Sequence, residues 1–164
     1  DMLLRREVAI EEADTGETLS RKLSAVGGEL LIETLPLHIE GKLRPEKQDE
    51  SQATYAPIIK KEDGLIDWSQ PAIDIRNLVR GMLPWPGAYT SLDGKMLKIF
   101  RASVSEGEGR PGSVVRSSGG ALRVATGEGT LDILELQIEG GKRLDAAAFL
   151  AGRKIAPGTI LGAA

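Results

Sequence analysis

The chain of 164 residues contains no cysteine. Disulfide staples, thiolate nucleophiles and thiolate metal ligands are therefore excluded, and the absence fits a reducing compartment. Histidine occurs once, as His38. Without a second His, a Cys or a carboxylate motif beside it, His38 completes no metal set and no acid–base relay, and it reads as an ordinary helix-surface residue. No apolar run approaches the roughly 20 residues of a membrane span, and the opening residues show no signal-peptide pattern. Positive charge is not in excess either. The net charge of −3 removes a global field for nucleic acid, so any anion-binding role needs a local patch. Aromatics are scarce at 4% of the chain.

That scarcity singles out one stretch, because both tryptophans lie in it. It runs from Leu65-Ile66-Asp67-Trp68 to Leu83-Pro84-Trp85-Pro86-Gly87-Ala88. Ser69 is a good helix N-cap, and Gln70-Pro71 opens a first turn where a missing N–H costs nothing. Ile73, Ile75, Leu78, Val79 and Met82 fall on one face of a helix of about three turns. Gly81 loosens its end, and Pro84 and Pro86 forbid continuation. Trp85 between two prolines is held extended. Its plain reading is a core plug at the entry to a β-domain, and its sharper reading is a ring facing a neighbouring domain or a ligand. Periodicity leaves both open.

The charge is unevenly spread. Residues 1–62 hold 9 Lys+Arg against 13 Asp+Glu, and residues 63–164 hold 12 against 11. Met2 to Ile10 reads as a strand with imperfect alternation. Asp14-Thr15-Gly16-Glu17-Thr18 is a helix start. Leu19, Leu23, Val26, Leu30 and Leu31 form an apolar stripe that Gly27-Gly28 is expected to interrupt. A second helix from Glu29 to Ile39 is expected to kink at Pro36. One strand and two helices resemble the last units of an α/β sheet, so the chain reads as a fragment that starts within one. The polar stretch from Gly41 to Pro57, broken by Pro45 and Pro57, is a linker signal. Lys60-Lys61 follows it, either as a solvated pair or as a phosphate contact.

From Gly87 onward the signals turn to β. Asp93-Gly94 is a two-residue hairpin turn between Ala88–Leu92 and Lys95–Val104. Ser113–Ser117 and Ala121–Thr126 flank Gly119-Gly120, and Gly127-Glu128-Gly129 leads into Thr130–Gln137. In this last run Leu131, Ile133 and Glu135 are expected on one face, Leu134 and Leu136 on the other. Neither Gly-rich turn follows a strand and opens a helix, so neither is a phosphate loop. Asp145 caps a short helix from Ala146 to Gly152, and Pro157–Leu161 is a candidate closing strand. Short strands with a turn every ten residues argue a small barrel or sandwich, and five strands with a helix fit an OB-fold-like barrel. No arrangement of side chains here suffices for catalysis or for holding a metal.

Several motifs resemble the C-terminal portion of the methionyl-tRNA formyltransferase family. They are Ala53-Thr54-Tyr55-Ala56-Pro57, Lys61-Glu62-Asp63-Gly64, Ile66-Asp67-Trp68-Ser69 and Pro84-Trp85-Pro86-Gly87-Ala88. Val124-Ala125-Thr126-Gly127-Glu128-Gly129 with Leu134-Glu135-Leu136-Gln137 follows, then Phe149-Leu150-Ala151-Gly152-Arg153 with Pro157-Gly158. The resemblance covers nearly the whole chain. It implies an α/β fragment, one strand and helices from the end of a Rossmann-like formyltransferase domain, followed by a mainly-β OB-fold-like barrel. The expected divisions are 1–44 for the tail of the catalytic domain, 45–62 for the linker and 63–164 for the barrel.

The resemblance further implies a cytoplasmic parent enzyme that moves a formyl group from 10-formyltetrahydrofolate to methionyl-initiator-tRNA. The family's catalytic Asn, His and Asp lie upstream of the residues matching Asp1-Met2-Leu3. This chain alone is then expected to be inactive, to bind no cofactor and to contain no catalytic residue. Its partners are initiator methionyl-tRNA and the missing N-terminal catalytic domain, with no membrane and no metal. The candidate tRNA-binding cations are Lys60, Lys61, Arg76, Arg80, Lys98, Arg101 and Arg153. The alternative is a non-catalytic barrel acting as a scaffold or protein-interaction domain, or the barrel of another formyltransferase.

Overall fold

The computed structural model describes residues 1–118 and 120–162. They divide into two compact units, Asp1–Ile58 and Ile59–Ala164.

The first unit is one long helix with an extended segment tied to it. Helix α1 spans Gly16–Ile39. Thr15 caps it: its side chain accepts from the Thr18 N–H at 3.2 Å, while its own N–H donates to Thr18 Oγ1 at 2.8 Å. Asp14 is buried beside the cap, where Lys22 Nζ approaches Oδ2 to 2.8 Å. That ammonium, with the Glu11 N–H, holds the Asp14 carboxyl below its ordinary pKa. Arg6 fastens the extended segment to α1 by reaching Glu29 at 3.2 Å and Glu33 at 2.9 Å, two acids one turn apart.

Three expectations fail in this unit. No interruption occurs at Gly27-Gly28, because each glycine costs only about 1 kcal/mol in a helix interior and a long helix absorbs it. Pro36 stands inside the same helix, in its last turn, rather than in a separate second helix. Residues 2–10 form no strand ladder. A strand needs a neighbouring backbone, and here Met2 alone pairs, with Glu46.

The second unit holds the core. Helix α2 (Ala72–Gly81) precedes strands β1 (Ala88–Leu92), β2 (Lys95–Ser105), β3 (Val114–Ser118), β4 (Ala121–Ala125), β5 (Thr130–Ile138) and β6 (Leu144–Asp145). Helix α3 (Ala146–Gly152) follows, with Asp145 Oδ1 accepting the Ala148 N–H at 2.7 Å. The pairings between these strands are antiparallel, in the order β1-β2-β5-β4-β3, with β6 on β5. The β1–β2 turn has Asp93 at φ 51° and Gly94 at φ 73°, the two positive values that a type I′ hairpin demands. The expected Gly119-Gly120 turn falls partly on Gly119, which lies outside the described residues.

Leu97, Ile99, Leu122, Val124, Leu131, Ile133 and Leu136 are fully buried, with Ile75 and Val79 of α2 and Phe149 of α3 packed among them. Burying Ile75 and Val79 contributes about 1.5–3 kcal/mol each. The burial of β5 changes parity, from Leu131 and Ile133 to Leu136. Register shifts at Arg101 in the β2–β5 ladder make that switch. They overturn the expected faces, which assumed unbroken alternation.

Both edges of the strand order find backbone partners in residues 159–162. Val114 N donates to Thr159 O at 2.8 Å, Leu161 N to Gly112 O at 2.8 Å, and Gly162 N to Ser91 O at 2.9 Å. No bare edge is left where these bonds form.

Candidate nucleic-acid interface

The two tryptophans have opposite fates. Trp68 is buried, and its indole N–H donates to Thr90 Oγ1 at 3.1 Å. Trp85, in the loop between α2 and β1, is 61% exposed. The core-plug reading is therefore wrong for Trp85. Pro86, Gly87 and Ala88 take the inward positions beside it. The loop is pressed onto the 3-10 turn Lys61–Gly64: a Cβ on Gly64 would lie 2.3 Å from Gly87 O and 3.2 Å from Pro86 Cγ. Such an approach admits only glycine.

Beyond that contact the two segments run parallel, with Leu65 paired to Tyr89 and Ile66 N donating to Tyr89 O at 2.8 Å. Parallel pairing sets the upstream residues of both segments at one end. Lys60 and Lys61 open the turn whose Gly64 packs on the residues that follow Trp85. Of the nearby carboxylates, Glu62 beside Lys61 is exposed, while Asp63 and Asp67 accept local hydrogen bonds. Asp63 Oδ2 accepts the Lys60 N–H at 2.7 Å. Asp67 accepts from Ser69 Oγ at 2.6 Å, from the Ser69 N–H and from Gln70. These donors, the Ser69 hydroxyl foremost, hold the Asp67 carboxyl below its ordinary pKa. Ser69 thus serves Asp67, and the N-cap of α2 is Pro71 rather than Ser69. Both lysines are exposed, and no salt bridge among the described residues engages either ammonium.

The other candidate cations lie elsewhere on this unit. Arg76 and Arg80 are half-buried on α2, with Arg80 Nε donating to Asn77 Oδ1 at 3.0 Å. At 3.6 residues per turn they fall on the side away from Asp74 and Leu78, which with Ile75 meet Leu65 and Asp67 around a small cavity. Lys98 lines a separate open cavity of about 240 Å³ with Met96, Gln137 and Glu139. Arg101 is exposed at the β2 irregularity, opposite Glu135. Arg153 Nη1 lies 3.5 Å from Asp93 Oδ2 at the hairpin tip. Of the seven cations, Lys60 and Lys61 are the pair at the start of the turn that packs on the Trp85 loop.

Two further arginines are tied into the sheet. Arg123 grips Asp132 with two bonds, at 2.7 and 2.8 Å, and lowers its pKa. Arg143 does the same to Glu135 at 2.7 and 2.8 Å, and its guanidinium lies 4.1 Å over the Phe100 ring. Among the described residues no three His, Cys, Asp or Glu side chains are grouped to hold a metal. Nor is any described helix long and apolar enough to cross a membrane. The exposure of Trp85 escapes a sequence reading. Its signal was the pair of flanking prolines, which marks rigidity but gives no direction.

Comparison with known proteins places these features in context. Residues 58–154 match the family described as formyl transferase, C-terminal domain. The chain is 56% identical over 162 residues to a methionyl-tRNA formyltransferase of Geotalea uraniireducens, covering 99% of this chain and 52% of that protein. It is 55% identical over 163 residues to one from Caldanaerobacter subterraneus, with 98% and 52% covered. The chain thus spans about half the length of the curated relatives it matches. A crystal structure of a HypX variant from Aquifex aeolicus superposes with a TM-score of 0.56 at 26% identity, over 79% of this chain and 24% of that one.

Proposed function

Because the chain belongs to the formyl transferase C-terminal domain family, we propose that it is the tRNA-holding C-terminal part of a cytoplasmic methionyl-tRNA formyltransferase. The parent transfers formyl from 10-formyltetrahydrofolate to the α-amine of methionine on initiator tRNA. The amine attacks the formyl carbon, and tetrahydrofolate leaves as its nitrogen recovers a proton. That chemistry belongs to residues outside this chain. The observation that carries the reading is the packing of the Trp85 loop on the turn that the exposed Lys60-Lys61 pair opens. Two flexible ammoniums without acidic partners suit a phosphate backbone.

The second unit, in this reading, is a five-stranded barrel of the OB-fold type with residues 159–162 as its closing segment. That architecture commonly binds oligonucleotides. The first unit is the tail of the catalytic domain. No residue of α1 is buried, and Ile32 (74%) and Ile39 (83%) stand open, as expected of a helix that packs on the rest of that domain. The candidate contacts are Lys60 and Lys61 foremost, then Arg76, Arg80, Lys98, Arg101 and Arg153. The purified chain is expected to bind initiator methionyl-tRNA at low salt and to transfer no formyl group. Turnover by the chain alone, or no binding at low salt, overturns the proposal. The latter result favours the scaffold role.

A further inference from the structure

We propose that Trp85 is a stacking platform for an unpaired base of the bound RNA, with Lys60 and Lys61 holding the phosphates next to that base. The inference rests on the tRNA-holding reading above and names a contact within it.

Large aromatic rings are usually buried, and the other tryptophan of this chain is. Trp85 is open over 61% of its surface although the residues that follow it, Pro86 to Ala88, are buried. The backbone behind the ring is fixed. Gly87 N donates to Met82 O at 2.9 Å, Gly64 packs directly on Pro86 and Gly87, and the next residues enter β1. A ring on so rigid a support loses little conformational entropy when a ligand covers it. Every nucleobase has a π-face, so an exposed indole accepts any unpaired base without reading its edges. The partner chemistry is set by charge. The loop that carries the ring packs on the Lys61–Gly64 turn, and the start of that turn bears two exposed lysines that no salt bridge among the described residues engages. Of the acids in this stretch, Asp63 and Asp67 accept local hydrogen bonds and Glu62 is exposed. An aromatic face beside free ammonium groups is the arrangement by which single-stranded nucleic acid is held.

The test uses the 164-residue chain with initiator tRNA, comparing wild type, Trp85→Ala, Trp85→Phe and Lys60→Ala/Lys61→Ala across a salt series. Thermal melting of each variant confirms folding. Loss of one stacked base weakens binding by about 5- to 150-fold. Trp85→Ala is expected to weaken binding by such a factor at every salt concentration, leaving the slope unchanged. Trp85→Phe retains most of the affinity. The double lysine variant flattens the slope instead. Trp85 is the accessible indole, so wild-type emission is expected to be quenched by tRNA, while Trp85→Phe, with Trp68 alone, is not. Equal affinity of wild type and Trp85→Ala, with no quenching, refutes the stacking contact and leaves the tRNA reading standing. Absence of tRNA binding by every form refutes both. Loss of acrylamide access to Trp85 as protein concentration rises, without RNA, assigns the ring to a contact between copies and also refutes stacking.

Discussion

The joint between α2 and the sheet is the point where one added carbon should do most harm. Gly127 N donates to Gln70 O at 3.0 Å, and Ala72 N donates to Glu128 O at 3.0 Å, so the β4–β5 turn is stitched to the start of α2. A Cβ on Gly127 would lie 1.8 Å from Ser69 O and 2.6 Å from Ser69 C. Ordinary contact is roughly 3.5 Å, so the two backbones must part by about 1.5 Å. Neither is a flexible side chain, and Ser69 is held by the Asp67 carboxylate next to buried Trp68. Overpacking of this kind costs about 1–3 kcal/mol, and loss of the Gly127 hydrogen bond adds about 1 kcal/mol. Gly127→Ala is expected to destabilise the second unit by about 3 kcal/mol, lowering its melting temperature by roughly 10–15 °C. Gly81→Ala is the control. It makes the same chemical change at the last residue of α2, where a Cβ meets nothing within 4 Å. There the gain in helix propensity stabilises by up to about 1 kcal/mol. Thermal and urea unfolding of both variants decide the matter. A Gly127→Ala protein within about 0.5 kcal/mol of wild type, or equal losses in both, refutes the packing argument.

Other consequences are accessible to the same measurements. Trp68→Phe removes the donor to Thr90 Oγ1, which is 2% exposed. It is expected to cost about 1–3 kcal/mol, and an unchanged midpoint in urea contradicts it. Asp132→Asn breaks the paired bonds from Arg123 and is expected to cost a similar amount near neutral pH. Arg123 holds the Asp132 pKa below its unfolded value. Its contribution is therefore complete well above the unfolded carboxylate pKa of about 4, and it is lost as pH falls through the folded value. Wild type and Asp132→Asn should converge in stability below about pH 4. A gap that stays constant as pH falls well below about 4 shows that the pair's charge contributes nothing.

Much of the second unit was legible because its signals are local. Asp93-Gly94 specifies a turn with two positive φ values, and Asp145 followed by a run of alanines specifies a capped helix. Ile75 and Val79 are buried as the helical period requires. Ile73, assigned to the same face, is 46% exposed, because the core meets a narrower stripe centred on Ala72, Ile75 and Val79. The failures are non-local. Whether Met2–Ile10 joins a ladder depends on a neighbouring strand, and no local pattern supplies one. The parity switch in β5 comes from an irregular ladder with β2, which is invisible in either strand alone. The exposure of Trp85 depends on the packing of Gly64 against Pro86, some twenty residues away. The candidate cations were legible as residues but not as a site. The packing of Gly64 on Pro86 and Gly87 is what sets the turn that two of them open against the Trp85 loop.

The most direct test of the tRNA-holding account is the affinity of this chain for initiator methionyl-tRNA from about 50 to 200 mM salt, the range over which counterion release changes affinity most visibly. Wild type is compared with Lys60→Ala/Lys61→Ala. The account predicts binding that falls steeply as salt rises, and a slope of log K against log salt smaller by about 2 in the double variant. Binding that ignores salt, or equal slopes in the two proteins, contradicts it.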